Sequence, residues 1–159
     1  GELDLRQVNV REFLAAKAQE YEMRARQKGI VISTDSTAER DVTCRLDPEK
    51  LGRVLDNLLS NSLRYTPQGG RITMAAKAEP GRIRFTVADS GPGFRPPDLA
   101  RVFDRFYRGD TSRGDEPGHS GLGLTIARQL VEKMGGSIQV SNGDPHGASV
   151  EFTVETRET

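Results

Sequence analysis

At 159 residues the chain is the size of one ordinary domain, with room for a single core and too short for two. Lys plus Arg equals Asp plus Glu at 23 each, which excludes an overall field that would draw nucleic acid or an anionic membrane surface. One cysteine excludes a disulfide framework within the chain and a multi-cysteine zinc cage, so Cys44 reads as core in a reducing compartment. No apolar run approaches the roughly 20 residues that span a bilayer, and "GELDLRQVNV" lacks the basic-then-apolar order of a signal peptide. The expectation is a soluble, cytoplasmic piece excised from something longer.

Taken in order, Val10, Phe13, Leu14, Ala18 and Tyr21 recur at helical spacing, with Asn9 and Glu12 as a capping box and Gly29 as the stop. "IVIST" and "VTCRL" read as short strands. Asp47 and Pro48 then give an N-cap followed by proline at the first helical position, and Leu51, Val54, Leu55, Leu58, Leu59 and Ser62 carry a second amphipathic helix up to "TPQGG". "RITMAAKA" and "RIRFTVAD", joined by "EPG", alternate as a hairpin that ends on Asp89. Residues 104 to 120 are polar, glycine-rich and aperiodic, long for a connection inside a compact domain and typical of a lid. Leu122, Ile126, Ala127, Leu130, Val131 and Met134 define a third helix stopped by Gly135 and Gly136, and "SIQVS" and "ASVEFTVE" close the chain as a hairpin around "NGDPHG". The expected fold is a two-layer α/β sandwich: three main helices on one face of a mixed, mostly antiparallel sheet of about five strands.

Four stretches can carry chemistry. In "DNLLSNSLRYTP", Asn57, Asn61 and Arg64 fall at i, i+4 and i+7 on a stripe beside the leucine stripe. A solvated face is the plainer reading of either asparagine alone, but an amide oxygen is also a hard ligand for Mg²⁺, and Arg64 is a phosphate-pairing cation. "DSGPGF" ends a buried strand on a carboxylate: a turn aspartate, or an acceptor for an exocyclic amine such as N6 of adenine, with glycines that let backbone approach a flat ring. In "FDRFYRG", Phe103 and Phe106 read most simply as an anchor where the loop leaves the core. Arg105, Arg108 and Arg113 are either solubilising or a mobile clamp on polyphosphate. "GHSGLGLTIA" places Gly118, Gly121 and Gly123 before a helix N-terminus, where phosphate binds well, yet it is neither a Walker A loop nor a dinucleotide fingerprint.

In this order and spacing the four stretches resemble the boxes of the catalytic ATP-binding domain of bacterial sensor histidine kinases, in the superfamily shared with DNA gyrase, mismatch-repair ATPases and heat-shock chaperones. "NLLSNSLRYTP" is similar to the N box, "DSGPGF" to the first glycine box, "FDRFYRG" to the F box and "GHSGLGLTIA" to the second glycine box. The resemblance covers essentially the whole chain and implies ATP and Mg²⁺ as cofactors, with the nucleotide between helices under a lid. It implies Asn61 as the Mg²⁺ and phosphate contact with Asn57 beside it, Arg64 as a phosphate partner where the family usually has Lys, and Tyr65 against the adenine. Asp89 would hold the adenine amine, Gly91 and Gly93 would shape the pocket, and Arg108 would reach the phosphates. Phe106, Ser120, Gly121, Leu122, Gly123 and Leu124 complete the nucleotide contacts, and Asn61, Arg64 and Arg108 are the residues implied for catalysis. His119, often Gly in the family, and Ser62, often Ala, are the departures.

Relatives that hydrolyse ATP place a carboxylate four residues before the metal-binding asparagine; here that position is Asn57, which cannot accept a proton, and Asp56 points about 100° away around the helix. The resemblance therefore implies phosphoryl transfer to a histidine on a dimerisation domain expected upstream, with a response regulator downstream, a monomeric fragment and a homodimeric full protein. Neither His119 nor His146 begins an acceptor motif. Alternatives are an ATP-binding regulatory module without kinase activity and a serine kinase of the anti-sigma-factor type.

Overall fold

The computed structural model describes residues 2 to 35, 41 to 99, 101 to 104 and 122 to 156, with backbone only at 122 and 123. The elements run β1 (Arg6–Asn9), α1 (Val10–Gln27), β2 (Val31–Asp35), β3 (Thr43–Leu46), α2 (Pro48–Tyr65), β4 (Arg71–Glu79), β5 (Arg82–Asp89), α3 (Pro96–Leu99), α4 (Leu122–Lys133), β6 (Ile138–Asn142) and β7 (Ala148–Glu155). The main sheet has the order β2-β4-β5-β7-β6. Its β2–β4 pairing is parallel and the other three are antiparallel. The parallel pair follows from connectivity: the chain leaves β2, passes through β3 and α2, and returns beside β2 in the same direction, as a crossover requires.

The helix boundaries form as the residue types dictate. Asn9 caps α1 by accepting from Glu12 N, and at the other end Ile30 N bonds to Ala25 O while Gly29 N bonds to Arg26 O, the paired bonds of a Schellman stop. Asp47 caps α2 through Lys50 N at 3.1 Å and also accepts from Asp4 N at 2.9 Å, so one buried carboxylate ties the N-terminal segment to the helix start. Burial opposes ionisation of Asp47, but those hydrogen bonds and the Lys50 ammonium outweigh it and hold its pKa below the usual carboxylate range.

The core lies between the helices and one face of the sheet. Ile72 and Met74 of β4, Ile83, Phe85 and Val87 of β5, and Val150, Phe152 and Val154 of β7 face it, together with the leucine stripe of α2 and Ala127, Leu130 and Val131 of α4. Phe85 and Phe152 are register partners and stack with centroids 5.0 Å apart. The opposite face carries ion pairs instead, with Glu79 held by Arg84 and Arg82 and its pKa drawn down to about 2.

Two elements were not legible in advance. β1 pairs with β3 in a separate two-stranded sheet, so the strand read in "VTCRL" lies outside the main sheet; β1 has only Val8 buried and shows no alternation long enough to register. α3 is a single turn of four residues, below the length at which helical periodicity exists.

Candidate functional site

Asp89 is the last residue of β5. Its Oδ1 accepts from Gly91 N at 2.9 Å and from Ala148 N, the first residue of β7, at 3.2 Å. The first bond is the turn role expected of an aspartate in "DSGPG"; the second comes from 59 residues away and fixes the carboxylate against the sheet. Gly91 sits so close that a Cβ there would lie 3.1 Å from both Asp89 Oδ1 and Tyr65 O, which places the end of α2 directly against this loop.

The β6–β7 turn grips the same loop from the other side. The Asn142 amide accepts from Phe94 N and donates to Phe94 O, both at 2.7 Å, and His146 Nδ1 lies 3.0 Å from Gly91 O. Gly93 and Gly147 both have positive φ, 81° and 107°, and each faces backbone too closely for a side chain. A Cβ on Gly147 would come within 2.2 Å of Asp89 O, and one on Gly93 within 2.8 Å of Gly147 O.

Along α2, Asn57 and Asn61 are half-buried and Arg64 is exposed, one stripe beside the buried leucines. Asn61 precedes Tyr65 by four residues, about 6 Å of helix rise, so the polar stripe runs away from the Asp89 loop along one axis. Asp56 is engaged elsewhere: Lys17 Nζ lies 2.7 Å and Tyr21 Oη 2.9 Å from its Oδ1, bonds that join α1 to α2. Burial, and then the bond to Asp56, push the Tyr21 pKa up to about 12. Lys28 donates to Leu63 O and Arg64 O, satisfying carbonyls at the end of α2.

The fourth stretch enters through its flanks. Thr125 Oγ1 in α4 donates to Phe103 O at 3.1 Å, and the Arg128 guanidinium lies 5.9 Å from the Phe103 ring centroid. Phe103 packs on the core as the expected anchor.

Residues 46–158 match the family described as histidine kinase-, DNA gyrase B-, and HSP90-like ATPases. The chain belongs to that family. Among curated relatives it is 38% identical over 122 residues to the sensor histidine kinase WalK of Bacillus subtilis, covering 76% of this chain and 20% of WalK. It is 34% identical over 157 residues to the sensor protein DivL of Caulobacter vibrioides, covering 99% and 19%. The chain thus spans about a fifth of the length of the curated relatives it matches. Among solved structures, full-length ShkA in complex with AMPPNP superposes with a TM-score of 0.84 at 32% identity, over 100% of this chain and 32% of that one. The mycobacterial sensor histidine kinase MprB superposes with a TM-score of 0.78 at 28% identity, over 97% and 100%.

Within this ATPase-family fold, the residues expected at the base end, Tyr65, Asp89, Gly91 and Gly93, are brought into contact by α2, β5 and the β6–β7 turn. Asn57, Asn61 and Arg64 share one helix face. Leu122, Gly123 and Leu124 form the first turn of α4, where helix N–H groups have no intrahelical partner, and Leu124 is buried in the core. Phe106, Arg108, Ser120 and Gly121 lie outside the described residues, as do Arg105, Tyr107, Arg113, Gly118 and His119. No cluster of three His, Cys, Asp or Glu exists among the described residues; the Asn61 amide oxygen, with phosphate and water, would make an all-oxygen donor set. That donor set suits Mg²⁺. Asn142 and His146 went unrecognised: in sequence they are turn residues, and their partners lie 48 and 55 positions away.

Proposed function

We propose that this chain binds Mg²⁺ and ATP and donates the γ-phosphoryl group to a histidine on a separate dimerisation domain, as the catalytic part of a cytoplasmic two-component sensor kinase. The observation that carries this reading is the pairing of a backbone-fixed Asp89 carboxylate with the polar stripe of α2 that ends against it. Asp89 accepts the adenine amine, and Gly91 and Gly93 keep side chains out of the ring plane. Tyr65 lies beside the ring. Asn61 offers its amide oxygen to Mg²⁺, which when bound neutralises phosphate charge, and Asn57, Arg64 and Arg108 line the polyphosphate. Phosphate oxygens also meet the N–H groups at the start of α4.

Transfer to a histidine is favoured over hydrolysis because α2 sets no uncommitted carboxylate beside the asparagine stripe to activate water. Asn57 holds an amide, and Asp56 is committed to Lys17 and Tyr21. The acceptor imidazole nitrogen attacks the γ-phosphorus as the bond to the β–γ bridging oxygen breaks, and this chain contributes position and charge. The relatives named as sensor histidine kinases support this assignment, and the AMPPNP in the ShkA complex supports an adenine nucleotide as ligand. On this reading the parent protein is a homodimer that hands its phosphoryl group to a response regulator. Calorimetry of ATP with and without Mg²⁺ tests the site. Binding by the wild type, loss of the Mg²⁺ dependence in Asn61→Ala and loss of adenine recognition in Asp89→Asn are the expected results. Absence of adenine-nucleotide binding would overturn it.

A further inference from the structure

We propose that Asn142 and His146 are positioning residues for base recognition: the exposed side chains of the β6–β7 turn hold the Asp89–Phe94 loop in its binding shape. The inference rests on the reading of Asp89 as the adenine acceptor. The loop is seized at four points by one short turn. Ala148 N meets Asp89 Oδ1, His146 Nδ1 meets Gly91 O, Gly147 O abuts Gly93, and the Asn142 amide makes a reciprocal pair with Phe94 N and O. Asn142 thereby reproduces the two bonds of a β-ladder where no strand is present. An aspartate could accept from Phe94 N, but its second oxygen would oppose Phe94 O. The Gly91 carbonyl only accepts, so His146 Nδ1 must carry the proton of that bond.

Neither side chain is needed to build the turn itself. Gly143 N bonds to Gly147 O, and the ladder from Ile138↔Phe152 to Asn142↔Ala148 sets the hairpin, while both side chains sit on residues exposed to solvent. Their bonds run outward to the loop that carries Asp89, not inward to the core. Truncating them should leave the fold intact and release the loop.

The test compares ATP with inosine triphosphate, which has a carbonyl in place of the exocyclic amine, on this chain by calorimetry with thermal melting alongside. The wild type should prefer ATP. Asn142→Ala should weaken ATP about tenfold and inosine triphosphate far less, for two hydrogen bonds lost to the loop, with the melting temperature and the Mg²⁺ dependence near wild type. His146→Ala should narrow the preference by about threefold, and His146→Asn, whose amide can donate to Gly91 O, should restore it. A wild type without preference for ATP sinks the reading of Asp89 itself, and this inference with it. A wild-type preference that survives Asn142→Ala, or equal losses of both nucleotides with a lowered melting temperature, overturns the positioning role alone. Should Asn142→Ala fail to fold, the His146→Ala and His146→Asn pair decides by the same ratio.

Discussion

The two ends of the proposed site are built by different means. At the base end, Asp89 is set by main-chain donors from its own turn and from β7, and by a loop held from the β6–β7 turn. At the phosphate end, Asn57, Asn61 and Arg64 are set by the periodicity of one helix whose leucines face the core. One end is a tertiary construction and the other a local one. A substitution at the base end should therefore act on which base is recognised, and one at the phosphate end on metal and charge, with little crossover between them.

The comparison breaks or sharpens through a graded set of changes. Asp89→Asn should have the largest effect, about 10- to 100-fold in ATP affinity, since a hydrogen bond to a charged acceptor is lost; titration of ATP against inosine triphosphate should show the preference gone. Asn61→Ala should lower ATP affinity by about tenfold in Mg²⁺ and hardly at all in EDTA, leaving base preference intact. A changed base preference in that variant would show the two ends to be coupled. Gly147→Ala should destabilise the fold by about 1–3 kcal/mol in urea unfolding and weaken ATP as well, because its φ of 107° and the 2.2 Å approach to Asp89 O leave no room for a methyl.

Asp47→Ala removes the cap beneath the α2 stripe and should cost about 1–2 kcal/mol. The folded pKa of Asp47 lies below its ordinary 3.8, so its contribution is complete above about pH 4 and is lost as the pH falls through the folded value. Acid titration of the wild type and of Asp47→Ala should converge below that range. Tyr21→Phe, which frees Asp56 from one of its two partners, should have the smallest effect, about 1 kcal/mol. The Tyr21 pKa is raised from 10.0 to about 12, so this contribution is intact below pH 10 and disappears between those values as the phenol ionises. If Tyr21→Phe also accelerated ATP hydrolysis, Asp56 would have to be readmitted as a base.

The same division explains what could be read from the chain beforehand. The caps at Asn9 and Asp47, the helices α1, α2 and α4 and the alternation of β4 and β5 depend on neighbours within a few residues, and periodicity exposes them. The stripe Asn57, Asn61, Arg64 was legible for that reason. Asp89 was legible as a carboxylate ending a strand, but its hold by Ala148 was not, nor was the use of Asn142 and His146. Those bonds depend on β7 lying between β5 and β6, a register no local pattern encodes. β1 escaped because it buries only Val8 and so shows no alternation, and α3 because a single turn has no helical period.

The bond from Thr125 to Phe103 has a consequence for chain length. It holds Phe103 against the start of α4, so described residues on the two sides of 105 to 121 are in contact. Closure entropy rises only with the logarithm of the connecting length, about 0.6 kcal/mol for each doubling. The segment that carries Arg108 can therefore be lengthened, shortened or replaced with little strain on the sheet, and a graft at that position inherits anchors that the rest of the fold maintains.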